Sequence, residues 1–505
     1  MTDLLDQHDR RSARSPIALV SLAAALILLT TLIYWRAAYW ARNPDPFAYA
    51  QVAKEMLAGK KLYSQTWQDK PPVAFFLYAL PQILGFKTYN AIGFFQGIWI
   101  GLQGFLFLAI FHRNLAAALG SAAFVALVPL IHPDFLWPST EHWANPFLTA
   151  LLLLGYLIWR DRRFSIAQCV LIGLLMAIAS QIRQNAAVAG FLPIGAILIS
   201  PAPWRRKLIA AAAIALAGAV CWGFILIILT RIADLHGYFY TVFKYPQLYA
   251  GAGGFLNSLP LPHGQHALRT LAIGAFFLLL ILPTLRGRHG RFVLCLLVLG
   301  VIVVLMPRRP FSHYWISFFP FLALAIGVTL TSAADRWPRG QWAVVAAILA
   351  GGLLGAIFQF QNYQNQPLTS SFQQVAATVD QIAPPGSTLL TTGPNTSMNG
   401  AAVMYASSLP ADNTFFLLFQ IEPPFCNFLP RPLSLIIDQY VNQPPGVMAI
   451  HKQYFADTQD PTKNTNTLLL LRRLFRTDHY TLTATDGDYL IFLRDSAPSR
   501  PDLAK

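Results

Sequence analysis

The residues best suited to chemistry begin with the segment RAAYWARNPDPFAYAQVAKEMLAGKKLYSQTWQDKPP, residues 36–72. It carries Asp45 and Asp69, a lysine, Lys70, next to Asp69, and Pro71-Pro72 opening a new apolar segment. Acids, lysines and aromatics gathered in one loop at a bilayer face mark a functional site, because charge near hydrocarbon is costly to keep. Lys70 can meet a phosphate; Asp69 can hold Lys70, orient a substrate or bind a metal. Each residue also has a plainer use. Asp45 suits the cap of the helix that follows it, and Lys70 suits a lysine that snorkels beside a capping aspartate.

Two further patches lie among apolar runs. Glu141 sits in HPDFLWPSTEHWANPF, where an acid at a helix start complements the helix dipole. Its neighbours His132, Asp134 and His142 are metal-ligating types, but their spacing matches no strong ligand motif. Arg183 in SQIRQN, and Arg308, Arg309 and His313 in PRRPFSHYW, are cations on the side of the bilayer that normally carries few. An anionic head group is their natural partner, since arginine matches phosphate oxygens in bidentate fashion; ordinary anionic lipids would serve as well. The loop at 231–266 is rich in Tyr, Phe and Gly. It suits closure over a lipid chain or sugar, and equally an aromatic belt at the interface.

The elements that must position these residues are membrane helices. Of the 505 residues 55% are hydrophobic and 12% charged, half of the roughly 25% charged in a soluble domain; mean hydropathy is +0.47. The net charge of +15 comes from short basic clusters between apolar runs. That pattern is a topology signal and excludes a nucleic-acid partner. Three of the four cysteines, Cys169, Cys221 and Cys295, fall in apolar runs and Cys426 in a polar one, with no disulfide framework or zinc spacing. Runs long enough to span occur near 16–35, 89–111, 115–131, 145–159, 165–182, 186–200, 208–230, 267–285, 292–306, 314–331 and 341–358, about eleven in all. The first reads as a retained helix rather than a cleaved signal. Residues 71–86 are apolar but short and contain Pro81, so they are expected to lie at the interface. With the N-terminus in the cytoplasm, the basic turns at 112–114, 160–163, 204–207, 286–291 and 333–339 all fall inside. Counting 71–86 as a further span would put four of these five outside.

The loop then divides into an amphipathic helix after Asp45, with Tyr49, Val52, Ala53, Met56 and Leu57 as its apolar stripe resting on the membrane, and the interfacial helix after Pro72. The chain is expected to form a transmembrane domain over 1–358 and an outer α/β domain over 359–505. The second shows turn signals at Pro384-Pro385-Gly386 and Asp486-Gly487. Its expected elements are 371–382, 387–392, 433–441, 447–450 and a closing hairpin at 479–493. A transporter or flippase for a lipid-linked saccharide is the competing class, but the spans carry few charges and no internal repeat is visible.

Together these motifs resemble the polytopic GT-C glycosyltransferases, in particular the protein O-mannosyltransferase and aminoarabinose transferase relatives, over residues 16–330. Those proteins open the first outer loop with Asp-Glu-x-x-Tyr; here Asp45 and Tyr49 match and Pro46 stands where the second acid would be. They continue with A-x-x-[ML]-x-x-G and acid-Lys-Pro-Pro, matched by Ala53–Gly59 and by Asp69-Lys70-Pro71-Pro72. A later acid before the fourth span corresponds to Glu141, and a His-Tyr-Trp turn to His313-Tyr314-Trp315. The resemblance implies an inverting transferase that moves a sugar from a polyprenyl-phosphate donor to a glycolipid, lipid A, polysaccharide or protein acceptor at the periplasmic face of a bacterial inner membrane. In that reading Asp45 is the base, Lys70, Arg183, Arg308, Arg309 and His313 hold the donor phosphate, and Tyr49, Asp69 and Glu141 position substrate. Some relatives use a divalent cation; the missing second acid weakens a metal site at Asp45.

Overall fold

A computed structural model describes residues 16–38, 45–86, 88–251, 287–308, 312–334, 336–363, 368–393, 400–411, 427, 429–463 and 465–495. Arg309, Cys426, the span expected at 267–285 and residues 252–266 of the aromatic loop lie outside them.

The chain is a multi-pass membrane protein. Among the described residues five helices are long and apolar enough to cross a bilayer: Ile17–Ala38, Asn90–Ile110, Trp204–Ile232, Ser312–Ser332 and Pro338–Gln361. At about 1.5 Å per residue, some 20 residues match the roughly 30 Å of hydrocarbon. The Pro72–Ile83 helix has 12 residues and reaches about 18 Å by the same rise, too short to cross.

Prolines explain where apolar runs depart from one uninterrupted α-helix. The run at 115–131 is the Leu115–Leu127 helix followed by a 3-10 turn, Val128–Ile131, which contains Pro129. The run at 186–200 opens as the 3-10 turn Gln184–Gly190 and continues as the Phe191–Leu198 helix with Pro193 in its first turn. The last pair is Ser312–Phe318 and Phe319–Ser332, with Pro320 second in its helix. Proline lacks an amide to donate, so it is accepted in the first turn, where donors have no intrahelical partner.

The chain divides into two compact units. One contains residues 1–38, 92–225 and 253–365. Close helix packing through small residues dominates it. Gly97 and Gly101 of the Tyr89–Ile110 helix press on the backbone of the Pro16–Ala38 helix. A Cβ at Gly97 would stand 2.5 Å from Thr31 Cα, and one at Gly101 2.7 Å from Ile27 Cα, so glycine is required for this approach. The Leu115–Leu127 helix, buried along almost its whole length, packs against both Phe319–Ser332 and Pro338–Tyr363. Ser121 donates to the Ala323 carbonyl there at 2.9 Å.

The other unit contains 39–91, 226–252 and 366–505. Its sheet has the order β1-β2-β4-β3, where β1 is Leu389–Thr391, β2 Val447–His451, β3 Tyr480–Asp486 and β4 Tyr489–Arg494. β1 and β2 are parallel; β2 with β4 and β4 with β3 are antiparallel. Val447, Met448, Ala449 and Ile450 are all fully buried, as a central strand covered on both faces requires. The helices Leu368–Ile382, Leu433–Asn442, Lys452–Gln459 and Asn466–Thr477 accompany the sheet.

In the same unit the Asp45–Leu57 helix packs against both Pro72–Ile83 and Gly400–Ala406. Its stripe differs from the expectation of a helix resting on lipid. Tyr49, Val52 and Ala53 are buried in protein, and only Leu57 at its end is well exposed. The C-terminal segment supplies the cover. Lys54 donates to the carbonyls of Met404 (3.3 Å) and Ser407. Glu55, itself buried, accepts from Gln51 Nε2 and the Ala411 amide, both at 2.8 Å, and pairs with Lys60.

Candidate functional site

In the first loop, the chain after the Asp45–Leu57 helix turns at Gly59 (φ 90°) and returns to the start of the Pro72–Ile83 helix. Pro71 and Pro72 cannot donate backbone hydrogen bonds, and a residue before proline is held extended. Lys70 is thus placed just ahead of a helix it cannot join. Its ammonium is 2.9 Å from Asp69 Oδ1 and 5.5 Å from the centre of the Tyr49 ring. Tyr49 packs in turn on Tyr78, with ring centres 5.4 Å apart. Asp45 lies four residues before Tyr49 in the first turn of the same helix. That spacing puts the two on one face, about 6 Å apart along the axis. The loop therefore brings Lys70, Asp69 and the Tyr49 ring together, with Asp45 one helical turn before Tyr49.

A residue that sequence reasoning did not select, Tyr63, braces this loop. Its φ is 68°, a left-handed conformation that costs a non-glycine residue roughly 1–2 kcal/mol. Its hydroxyl donates to the Lys70 carbonyl at 2.8 Å, and its ring meets Phe75 and Tyr238. Burial, then the charges of Tyr238 and Asp69, hold this phenol well above its usual pKa, so it stays a donor throughout the physiological range. Nothing in the residue pattern marks Tyr63, because left-handed backbone is a product of the folded loop.

In the transmembrane unit, Glu141 stands in the first turn of the Thr140–Asp161 helix, and Arg183 directly follows the antiparallel Ile166–Ile182 helix. Arg183 Nη1 is 2.7 Å from Glu141 Oε1 and donates to Thr140 Oγ1 at 3.0 Å. The guanidinium also lies over the Tyr314 ring, 4.5 Å from its centre. His313 Nε2 approaches Glu141 Oε1 to 3.6 Å. Three residues selected from sequence, Glu141, Arg183 and His313, thus meet, with Thr140 and Tyr314 completing the group. Arg308 is five residues from His313 on the same connection, exposed and left-handed at φ 51°.

His132, Asp134 and His142 do not assemble as metal ligands. His132 Nδ1 accepts the Asp134 amide at 3.1 Å, the Asp134 carboxylate receives the Ser312 hydroxyl, and His142 Nε2 donates to the Phe135 carbonyl at 2.8 Å. Among the described residues no three His, Cys, Asp or Glu side chains group as a metal site.

The chemistry available is specific. A lysine ammonium held beside a carboxylate and an aromatic face can meet an anionic group.

No protein-family model and no curated protein sequence matches the chain. Among solved structures it is similar to ArnT from Cupriavidus metallidurans bound to undecaprenyl phosphate, with 14% identity, a TM-score of 0.61, and 96% of this chain and 99% of that one covered. The apo state of the same protein gives 15% identity and a TM-score of 0.57, with 94% and 98% covered. The fold is therefore the GT-C fold of membrane glycosyltransferases. ArnT, an aminoarabinose transferase, shares it with this chain over nearly the whole of both lengths.

Proposed function

We propose that the protein is a glycosyltransferase that moves a sugar from a polyprenyl-phosphate donor to an acceptor hydroxyl or phosphate, with inversion. The acceptor is a glycolipid, lipid A, a wall polysaccharide or a protein. The observation that carries the reading is Lys70, held between Asp69 and the Tyr49 ring one helical turn from Asp45, in a chain with the fold of a protein whose structure contains undecaprenyl phosphate.

In the proposed reaction the acceptor oxygen bonds to the anomeric carbon while the bond from that carbon to the phosphate oxygen breaks. Asp45 takes the acceptor proton, a contribution of about 10²- to 10⁴-fold. The phosphate stays on the lipid, and the charge it gains is offset by Lys70. Tyr49, Asp69 and Glu141 position the substrates.

The proposed topology has about eleven crossings of a bacterial inner membrane, an inner N-terminus, a transmembrane catalytic domain over 1–358 and a periplasmic domain over 359–505. The gathering of 39–91, 226–252 and 366–505 in one compact unit supports it, since these segments all belong on the outer side.

Two measurements test the reading. Purified protein should retain undecaprenyl phosphate in native mass spectrometry, and Lys70→Ala should release it. The envelope glycans of a deletion strain should lose a sugar that wild-type protein restores and a folded Asp45→Asn protein does not. Glycans unchanged by the deletion would overturn the assignment.

A further inference from the structure

We infer that Tyr63 is a positioning residue for Lys70, and that the segment after the Trp204–Ile232 helix sets the position of Tyr63. The inference rests on the reading of Lys70 as the lipid-phosphate cation and extends it to two elements outside the motif.

Six contacts carry it, all inside one compact unit. Tyr63 reaches seven residues ahead to the carbonyl of Lys70. That carbonyl lies ahead of Pro71, the cap of the following helix, and the Ala74 amide, four residues on, goes instead to the Pro71 carbonyl at 3.2 Å. The hydroxyl therefore holds the Lys70 carbonyl from outside the helix. Next, the left-handed backbone of Tyr63 is closed locally by its own amide, which donates to the Thr66 carbonyl at 2.7 Å. A strained conformation of this kind persists only where its surroundings over-determine it. The surroundings come from the second element. Leu62 accepts from the Asp234 amide and donates to the Ile232 carbonyl, both at 2.9 Å. Lastly, Gly237 lies against Tyr63: a Cβ there would stand 2.9 Å from both the Tyr63 Cβ and its carbonyl oxygen. Asp234 fixes that glycine by accepting its amide at 3.0 Å.

The order of control is thus Asp234 and Gly237, then Tyr63, then the Lys70 backbone, then its ammonium between Asp69 and Tyr49. A residue that served packing alone would use the Tyr63 ring, which meets Phe75 and Tyr238. The hydroxyl is the part that addresses Lys70, and Tyr63→Phe removes only that part.

The test uses the full-length protein in detergent, with lysines reductively methylated with ¹³C and the Lys70 signal assigned by its loss in Lys70→Arg. Tyr63→Phe and Gly237→Ala should both shift the Lys70 signal, while Tyr405→Phe, which removes a hydroxyl beside Phe47 in the same unit, should not. Undecaprenyl phosphate, titrated by native mass spectrometry, should bind Tyr63→Phe about fivefold to tenfold more weakly, the loss expected for one hydrogen bond. A Lys70 signal identical in wild type and Tyr63→Phe overturns the inference. Wild-type protein that binds no undecaprenyl phosphate overturns the phosphate reading instead, and the Lys70 signal still decides the role of Tyr63. A shift in Gly237→Ala without one in Tyr63→Phe would assign the effect to the backbone and remove the hydroxyl from the scheme.

Discussion

Glu141 and Arg183 form an ion pair of 2.7 Å whose side chains are 1% and 8% exposed. They are 42 residues apart and meet because the Thr140–Asp161 and Ile166–Ile182 helices run antiparallel. Two opposite charges this deeply placed hold one another against a large desolvation penalty. Arg183→Met or Glu141→Gln alone should therefore destabilise the protein by about 3–5 kcal/mol, the cost of leaving one buried charge alone. The double replacement Glu141→Gln with Arg183→Met should cost less than either, and thermal unfolding in detergent measures the difference. Additive losses in the double variant would show that the two groups do not depend on each other.

The contact of the first two long helices depends on Gly97. Gly97→Ala would put a methyl 2.5 Å from Thr31 Cα, which only separation of two backbones can relieve. Its melting temperature should fall. Gly195→Ala is the matched control. Nothing lies within 4 Å of that position, and it sits in the Phe191–Leu198 helix. There the exchange should be neutral or gain up to about 1 kcal/mol of helix propensity.

Glu55 ties the first loop to the C-terminal segment by accepting from Gln51 and the Ala411 amide and pairing with Lys60. Lys60→Met should leave its buried carboxylate without a cation. Because the Lys60 side chain is 30% exposed, the loss should fall below the about 3–5 kcal/mol of a wholly buried pair. In a Glu55→Gln background, where no charge remains to be stranded, Lys60→Met should cost much less, and equal losses in the two backgrounds would refute the pairing.

His451 should make the sheet sensitive to acid. Burial lowers its pKa below the ordinary 6.5, Asp488 opposes the shift and Lys452 adds to it. Its Nδ1 accepts the Gln453 amide at the start of the Lys452–Gln459 helix. Below about pH 6.5 the unfolded histidine takes a proton that the folded one resists, so stability falls as pH drops and is flat above that value. His451→Asn keeps an acceptor for the amide and removes the titration. The difference in melting temperature between the two proteins, followed from pH 8 to 5, should therefore change only on the acid side.

Much of the architecture is local and so was legible before folding. Apolar runs located the helices, because burying 20 residues in hydrocarbon leaves a compositional mark on consecutive positions. Asp69-Lys70-Pro71-Pro72 was legible for a similar reason: adjacent residues and proline stereochemistry put Lys70 ahead of a helix whatever the rest of the chain does. The Leu433–Asn442 helix, β2 and the β3–β4 hairpin each lie where periodicity and turn residues placed them.

Other relationships were decided by tertiary structure alone. The stripe at Tyr49, Val52 and Ala53 reads as a lipid face until the chain some 350 residues later covers it. Composition records that a face is apolar and not which apolar surface it meets. The meeting of Glu141, Arg183, His313 and Tyr314 depends on three separate stretches of chain, and the left-handed Tyr63 on a glycine 174 positions away that leaves it room. Sequence alone sets which residues are neighbours along one helix or turn, whereas partners across helices follow from packing, which no single segment encodes.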